Sequence, residues 1–167
     1  LINNTTKWQY LDLQTTEIKP KLIDISKLFS SVSLAEGATT GLFTGNILST
    51  NWDADGSHVL IRAKNADAIE WVLLDVKKPE NSINLTREFS SNFSEVQILD
   101  NSSNNLLAVQ NGNLHRIDIP AKQLSSVLIT DINDFDHYHR EIVFSAKNTR
   151  KTELPYYVGY FRLGEDK

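Results

Sequence analysis

Apolar residues along this chain fall in short runs separated by Gly, Pro, Asn and Asp. Such runs, with frequent alternation and no sustained spacing of three to four, predict β-strands rather than helices. The clearest stretch predicts a strand from Ile47 to Trp52, a turn at Asp53-Ala54-Asp55-Gly56 and a strand from His58 to Arg62. A turn at Asn65-Ala66-Asp67 then leads to a third strand, Ile69 to Val76, which ends at Pro79 and Asn81. Ile83-Asn84-Leu85-Thr86 alternates apolar and polar, as a half-exposed outer strand should.

The same order follows again. Val96 to Leu99 precedes a polar turn from Asp100 to Asn105, and Leu106 to Val109 leads into Asn111-Gly112, a type I′ hairpin signal. Leu114 to Ile119 and Val127-Leu128-Ile129 complete that set. A last unit holds Ile142 to Ser145 and Tyr156 to Leu163, without a fourth strand.

An internal repeat ties these units together. Trp8-Gln9-Tyr10-Leu11-Asp12-Leu13 with Glu17 matches Trp71-Val72-Leu73-Leu74-Asp75-Val76 with Glu80. Weaker copies are Leu114 to Ile119 and Tyr157 to Arg162, the latter with Phe161 in place of Asp. The anchors 71, 114 and 157 are 43 residues apart, whereas 8 and 71 are 63 apart. The surplus lies in a Ser-, Thr- and Gly-rich segment, residues 26–45, read as an inter-unit loop with one helical turn near Ile25 to Phe29. Four strands per unit and a period near 43 predict an all-β chain of propeller-type antiparallel blades. The expected division is a partial first blade 1–25, the loop 26–45, blades 46–90 and 91–130, and an incomplete blade 131–167, about three and a half blades in one domain. A sandwich of unrelated hairpins is the competing architecture, but it would not reproduce the Trp-to-Asp register.

Asn51-Trp52-Asp53-Ala54-Asp55-Gly56-Ser57-His58 with Glu70 to Val76 resembles a blade of the WD-like β-propellers. That group includes the periplasmic Tol-system propeller and the propellers of prolyl-oligopeptidase-type enzymes; Ala54 stands where the pattern has Pro. The phrases Lys78 to Thr86 and Asn113 to Asp118 resemble propeller-like regions of bacterial envelope proteins with a PEGA domain, including those of Saccharibacteria. The resemblance spans residues 46–163 and implies a binding platform with no universal catalytic set.

Composition narrows the picture further. The chain has 40% hydrophobic and 23% charged residues and a net charge of −4, which disfavours duplex nucleic acid and anionic lipid as partners. With no Cys there are no disulfides, thiolate metal sites or thiol nucleophiles. No Met occurs even at position 1, so a piece of a longer product or a processed form is expected. Apolar runs are far shorter than the ~20 residues of a membrane span, so no direct membrane insertion by this chain is expected.

Catalytic signatures are missing. There is no G-x-S-x-G elbow, phosphate loop, H-E-x-x-H helix or Asp-box. Asp53, Asp55 and Gly56 suggest a Ca²⁺ loop but lack its remaining ligands, so a plain turn is the expectation. Within Asp134-Phe135-Asp136-His137-Tyr138-His139, alternate residues would share a strand face, offering His137 and His139 with a carboxylate such as Asp136 to a metal. A solvated inter-strand turn is the preferred reading, because no third ligand has suitable spacing. Trp8, Trp71 and Trp52 are expected to pack rather than stack on ligands. Tyr156, Tyr157, Tyr160 and Phe161 are denser than a core requires and predict a contact surface. Asn3, Asn4, Asn84, Asn92 and Asn101 begin N-x-[ST] triplets, unused in a bacterial source.

The expected function is a non-catalytic binding or scaffold module of a bacterial cell-envelope protein, extracytoplasmic, recognising partners through blade loops and needing no cofactor. Its alternative is an accessory propeller of a larger hydrolase. Unpaired blade edges predict self-association, as a homo-oligomer, or pairing with another protein segment, the added strand lying beside Tyr156 to Leu163.

Overall fold

The computed structural model describes residues 7–11, 20–29, 45–65, 68–100, 102–148 and 154–164. These divide into two compact units, 1–52 with 56–87 and 53–55 with 88–167. All pairing is antiparallel, and each sheet is a simple meander of consecutive strands.

The first unit holds two sheets. β1 (Lys7–Leu11) pairs with β2 (Pro20–Asp24). β3 (Asn46–Trp52), β4 (His58–Asn65), β5 (Ala68–Asp75) and β6 (Ile83–Asn84) form a four-stranded sheet in that order. The continuous run Trp71-Val72-Leu73-Leu74 is buried throughout, as a strand covered on both faces requires. On one face, Val59, Ile61, Ala63, Val72 and Leu74 pack against Ile23, Ile25 and Phe29. The expected helical turn is present as a 3-10 turn, Ser26–Leu28. Its flanks Ile25 and Phe29 are buried in the core and its Leu28 packs against them, whereas the rest of the predicted loop, residues 30–44, lies outside the described residues.

A polar cluster closes this face. The buried Glu70 carboxylate accepts hydrogen bonds from Asn65 Nδ2 at 2.7 Å and Asn84 Nδ2 at 2.6 Å, and Asn84 Nδ2 also donates to the Leu28 carbonyl at 2.9 Å. Such donors relieve the cost of burying a carboxylate. Asn84 therefore works inside the protein, which removes it as a glycan acceptor.

Its Oδ1 corrects another expectation. The predicted fourth strand 83–86 stops after Asn84, because Oδ1 accepts from the Arg87 N–H at 3.0 Å and starts a helical turn, α1 (Leu85–Glu88). This is N-capping by a residue that favours it.

The second unit also holds two sheets. β7 (Phe93–Ile98), β8 (Asn105–Gln110), β9 (Asn113–Asp118) and β10 (Gln123–Leu124) form a four-stranded sheet. Asn111 and Gly112 both take positive φ, 51° and 76°, the geometry of a type I′ turn. The strand expected at 127–129 is not formed. β10 occupies the fourth position and only Ile129 makes an isolated bridge, to Leu114. Ser125 interrupts between them, its Oγ accepting from the Arg116 N–H and donating to the Ser126 carbonyl. β11 (Ile132–Tyr138), β12 (Glu141–Lys147) and β13 (Tyr156–Arg162) form the last, three-stranded sheet. Its inner face, Phe135, Ile142, Phe144 and Ala146, packs against Leu107, Val109 and Leu114.

Two features recur beyond strand order. The register of the first strand in each of the three larger sheets slips by one residue, at Leu48 in β3, Ser94 in β7 and Asn133 in β11. These β-bulges break strict alternation and twist the strand that bears them. The repeated Asp also has a local task. Asp75 Oδ1 accepts from the N–H groups of Lys77 and Lys78, and Asp118 Oδ1 from that of Ala121, so each turns the chain after a third strand.

Candidate functional site

The three-stranded sheet β11–β13, third of the larger sheets, carries an exposed apolar face. In register, its outward face presents four successive rows. Tyr138, Glu141 and Arg162 form the first, then Asp136, Val143 and Tyr160. Asp134, Ser145 and Val158 follow, and Lys147 with Tyr156 ends the face. Tyr156, Val158, Tyr160 and Val143 are 50, 77, 60 and 52% exposed, so the apolar side chains are not isolated on this face. The density of aromatics near residue 157 therefore marks surface. Phe161 is half-buried and joins the inner face, and Tyr157 packs edge-on against Phe144 with centroids 6.1 Å apart.

Gly159 lies directly across from Phe144 of β12. A Cβ at this position would collide with Phe144 Cζ, because the Phe144 ring covers the glycine. This pairing of a strand glycine with a cross-strand aromatic fills the missing side chain with ring surface. Among the described residues β13 has no neighbour on its other side.

At the turn end of the face lies an open hollow of about 490 Å³, lined by Asp100, Tyr138, His139, Arg140, Glu141 and Arg162. Arg140 Nε stands 3.9 Å from Asp100 Oδ2, a loose ion pair. Only Tyr138 and His139 of this set carried a sequence signal. The others come together through strand register, which no local motif records.

Asp134 to Tyr138 lie in a strand, not in the turn expected from sequence; the turn is His139-Arg140, with His139 at φ 52°. The bulge at Asn133 hides this strand from a period-two reading. Asp134 and Asp136 are exposed and each accepts from the next residue's N–H, at 2.9 and 2.8 Å. His137 shares the inner side with Phe135, while His139 sits in the turn against Tyr138, ring centroids 4.4 Å apart. The two imidazoles therefore do not share a strand face.

Asp53, Asp55 and His58 do bring three potential ligand atoms within 4.8 Å of one another, in one six-residue stretch. His58 Nδ1 is already 2.7 Å from Ser57 Oγ, and its Nε2 faces Asp75 Oδ2 at 3.8 Å. With Nδ1 held by Ser57, the stretch reads as the turn between β3 and β4, for which Gly56 supplies φ 67°. Trp71 is buried, with the Arg62 guanidinium 5.5 Å from its ring centroid. Trp52, expected to pack, is instead 46% exposed, because β3 is the outermost strand of its sheet. The side chain of Trp8, and Asn3, Asn4 and Asn101, lie outside the described residues. No helix among the described residues is long and apolar enough to cross a membrane. Comparison with family models, curated proteins and solved structures finds no match to this chain.

Proposed function

We propose that this chain is a non-catalytic binding or scaffold module, its sheets serving as propeller-type blades of an extracytoplasmic envelope protein. The observation that carries the binding reading is the outward face of the third sheet, where Tyr156, Val158, Tyr160 and Val143 lie exposed beside the outer strand β13. Aromatic-rich surface of this kind suits protein recognition, since Tyr buries a large area at low entropic cost. An extended segment added to β13 would gain main-chain hydrogen bonds, and the outward tyrosines would grip its alternate side chains. The blade reading rests on consecutive meanders whose third strands, β5, β9 and β13, carry the repeat anchors Trp71, Leu114 and Tyr157, with the matching Trp8 on β1.

Selection of peptides from a random display library against the full chain tests this reading. Bound peptides should slow hydrogen exchange at the amides of β13. Peptides that protect some other region, or turnover of a broad panel of peptide, ester and glycoside substrates, would overturn it.

A further inference from the structure

The two outer strands of the third sheet differ in a way that points to one occupant. β11 is guarded by its bulge at Asn133 and by the exposed carboxylates Asp134 and Asp136. Bulges and charges are the usual devices that stop edge strands from pairing. β13 has neither. Its pairing with β12 runs unbroken from Tyr156 to Arg162, and Arg162 is its sole charged residue.

The sequence of β13 is also nearly symmetric about Gly159. Antiparallel pairing with another β13, with Gly159 at the centre, sets Val158 opposite Tyr160, Tyr157 opposite Phe161 and Tyr156 opposite Arg162. All three are favourable cross-strand pairs, aliphatic on aromatic, aromatic on aromatic and cation on ring. Charge selects this direction. The two Arg162 side chains stand about 20 Å apart in the antiparallel arrangement, six residues along the strand, but adjacent in a parallel one. On the inner side, the ring of Phe144 over each Gly159 continues the apolar row across the junction.

We infer that β13 pairs antiparallel with β13 of a second copy, forming a six-stranded sheet across a two-fold axis at Gly159. This rests on the reading of β13 as a docking edge and names its occupant. Edge-to-edge pairing of single strands buries little surface beside a standard interface, so the dimer is a weak one.

Sedimentation equilibrium of the full chain from 1 to 300 μM is the test, with two variants on the exposed face. The double variant Val158→Lys with Tyr160→Lys sets lysines opposite each other twice across the axis and should weaken association at least about tenfold. The double variant Val158→Glu with Tyr160→Glu should behave likewise alone. An equimolar mixture of the two should restore a dimer, which loss of fold could not produce. A wild-type monomer at 300 μM, or a mixture that stays monomeric, overturns the inference. If library peptides still protect β13 in that case, the docking edge stands and only its occupant is wrong.

Discussion

β8 and β12 are both second strands of meanders, yet they live in different surroundings. Leu106 to Val109 of β8 are buried on both faces, whereas β12 alternates, with Ile142, Phe144 and Ala146 buried and Glu141, Val143 and Lys147 exposed. The sequences anticipate this: Leu-Leu-Ala-Val is continuous, while Ile-Val-Phe-Ser-Ala admits a polar residue. One plan of strand pairing thus serves an interior sheet and a surface sheet, and the side chains alone decide which. Where β8 carries Leu on both sides, β12 leaves Val143 to a face that also bears Tyr156, Val158 and Tyr160. The interior sheet is the more costly to disturb, and the surface sheet is the one free to bind.

Truncation should separate the two strands. Leu107→Ala removes a fully buried side chain and should cost about 2–5 kcal/mol in chemical denaturation, against well under about 1 kcal/mol for Val143→Ala. Equal losses would mean that the outward face is covered in solution and would break the comparison. Gly159→Ala should cost about 1–3 kcal/mol, since the new methyl collides with the Phe144 ring. Combining it with Phe144→Leu should recover part of that loss in a double-mutant cycle. Asp118→Ala leaves the Ala121 N–H without its side-chain acceptor and should lower stability by about 1 kcal/mol in a thermal melt. The smallest effect belongs to the hairpin between β11 and β12. His139→Gly relieves a positive φ of 52° and should raise stability by a few tenths to about 1 kcal/mol, whereas Gly112→Ala, at φ 76°, should lower it.

Much of the fold was legible because central strands announce themselves. Continuous apolar runs such as Trp71 to Leu74 and Leu106 to Val109 are interior strands, and Asn111-Gly112 is the turn it resembles. What escaped was set by contacts between elements or by single polar side chains. Asn84 ends a strand through one amide oxygen, a role its flanking alternation does not reveal. Ser125 diverts the fourth strand of its sheet, moving it from 127–129 to Gln123–Leu124. β11 was concealed by its bulge, since an extra residue reverses the apparent phase of inward and outward positions. Of the candidate surface, the aromatic cluster near residue 157 was visible in composition. The hollow around Arg140 and Arg162 was not, because its residues meet only through register.

The meander has a kinetic side. Every strand of each sheet pairs with its neighbour in sequence, so no sheet waits for a distant segment before its ladder can close. Hairpins of this kind form in about 1–10 μs, and chains dominated by local contacts fold ahead of those that must first close long loops. A sheet such as β7 to β10 can therefore assemble as soon as its own stretch leaves the ribosome, before β11 to β13 exist. Of the sheets described, the one with the open outer strand emerges after the others. While those earlier sheets form, the aromatic edge most prone to meet another chain has not yet been made.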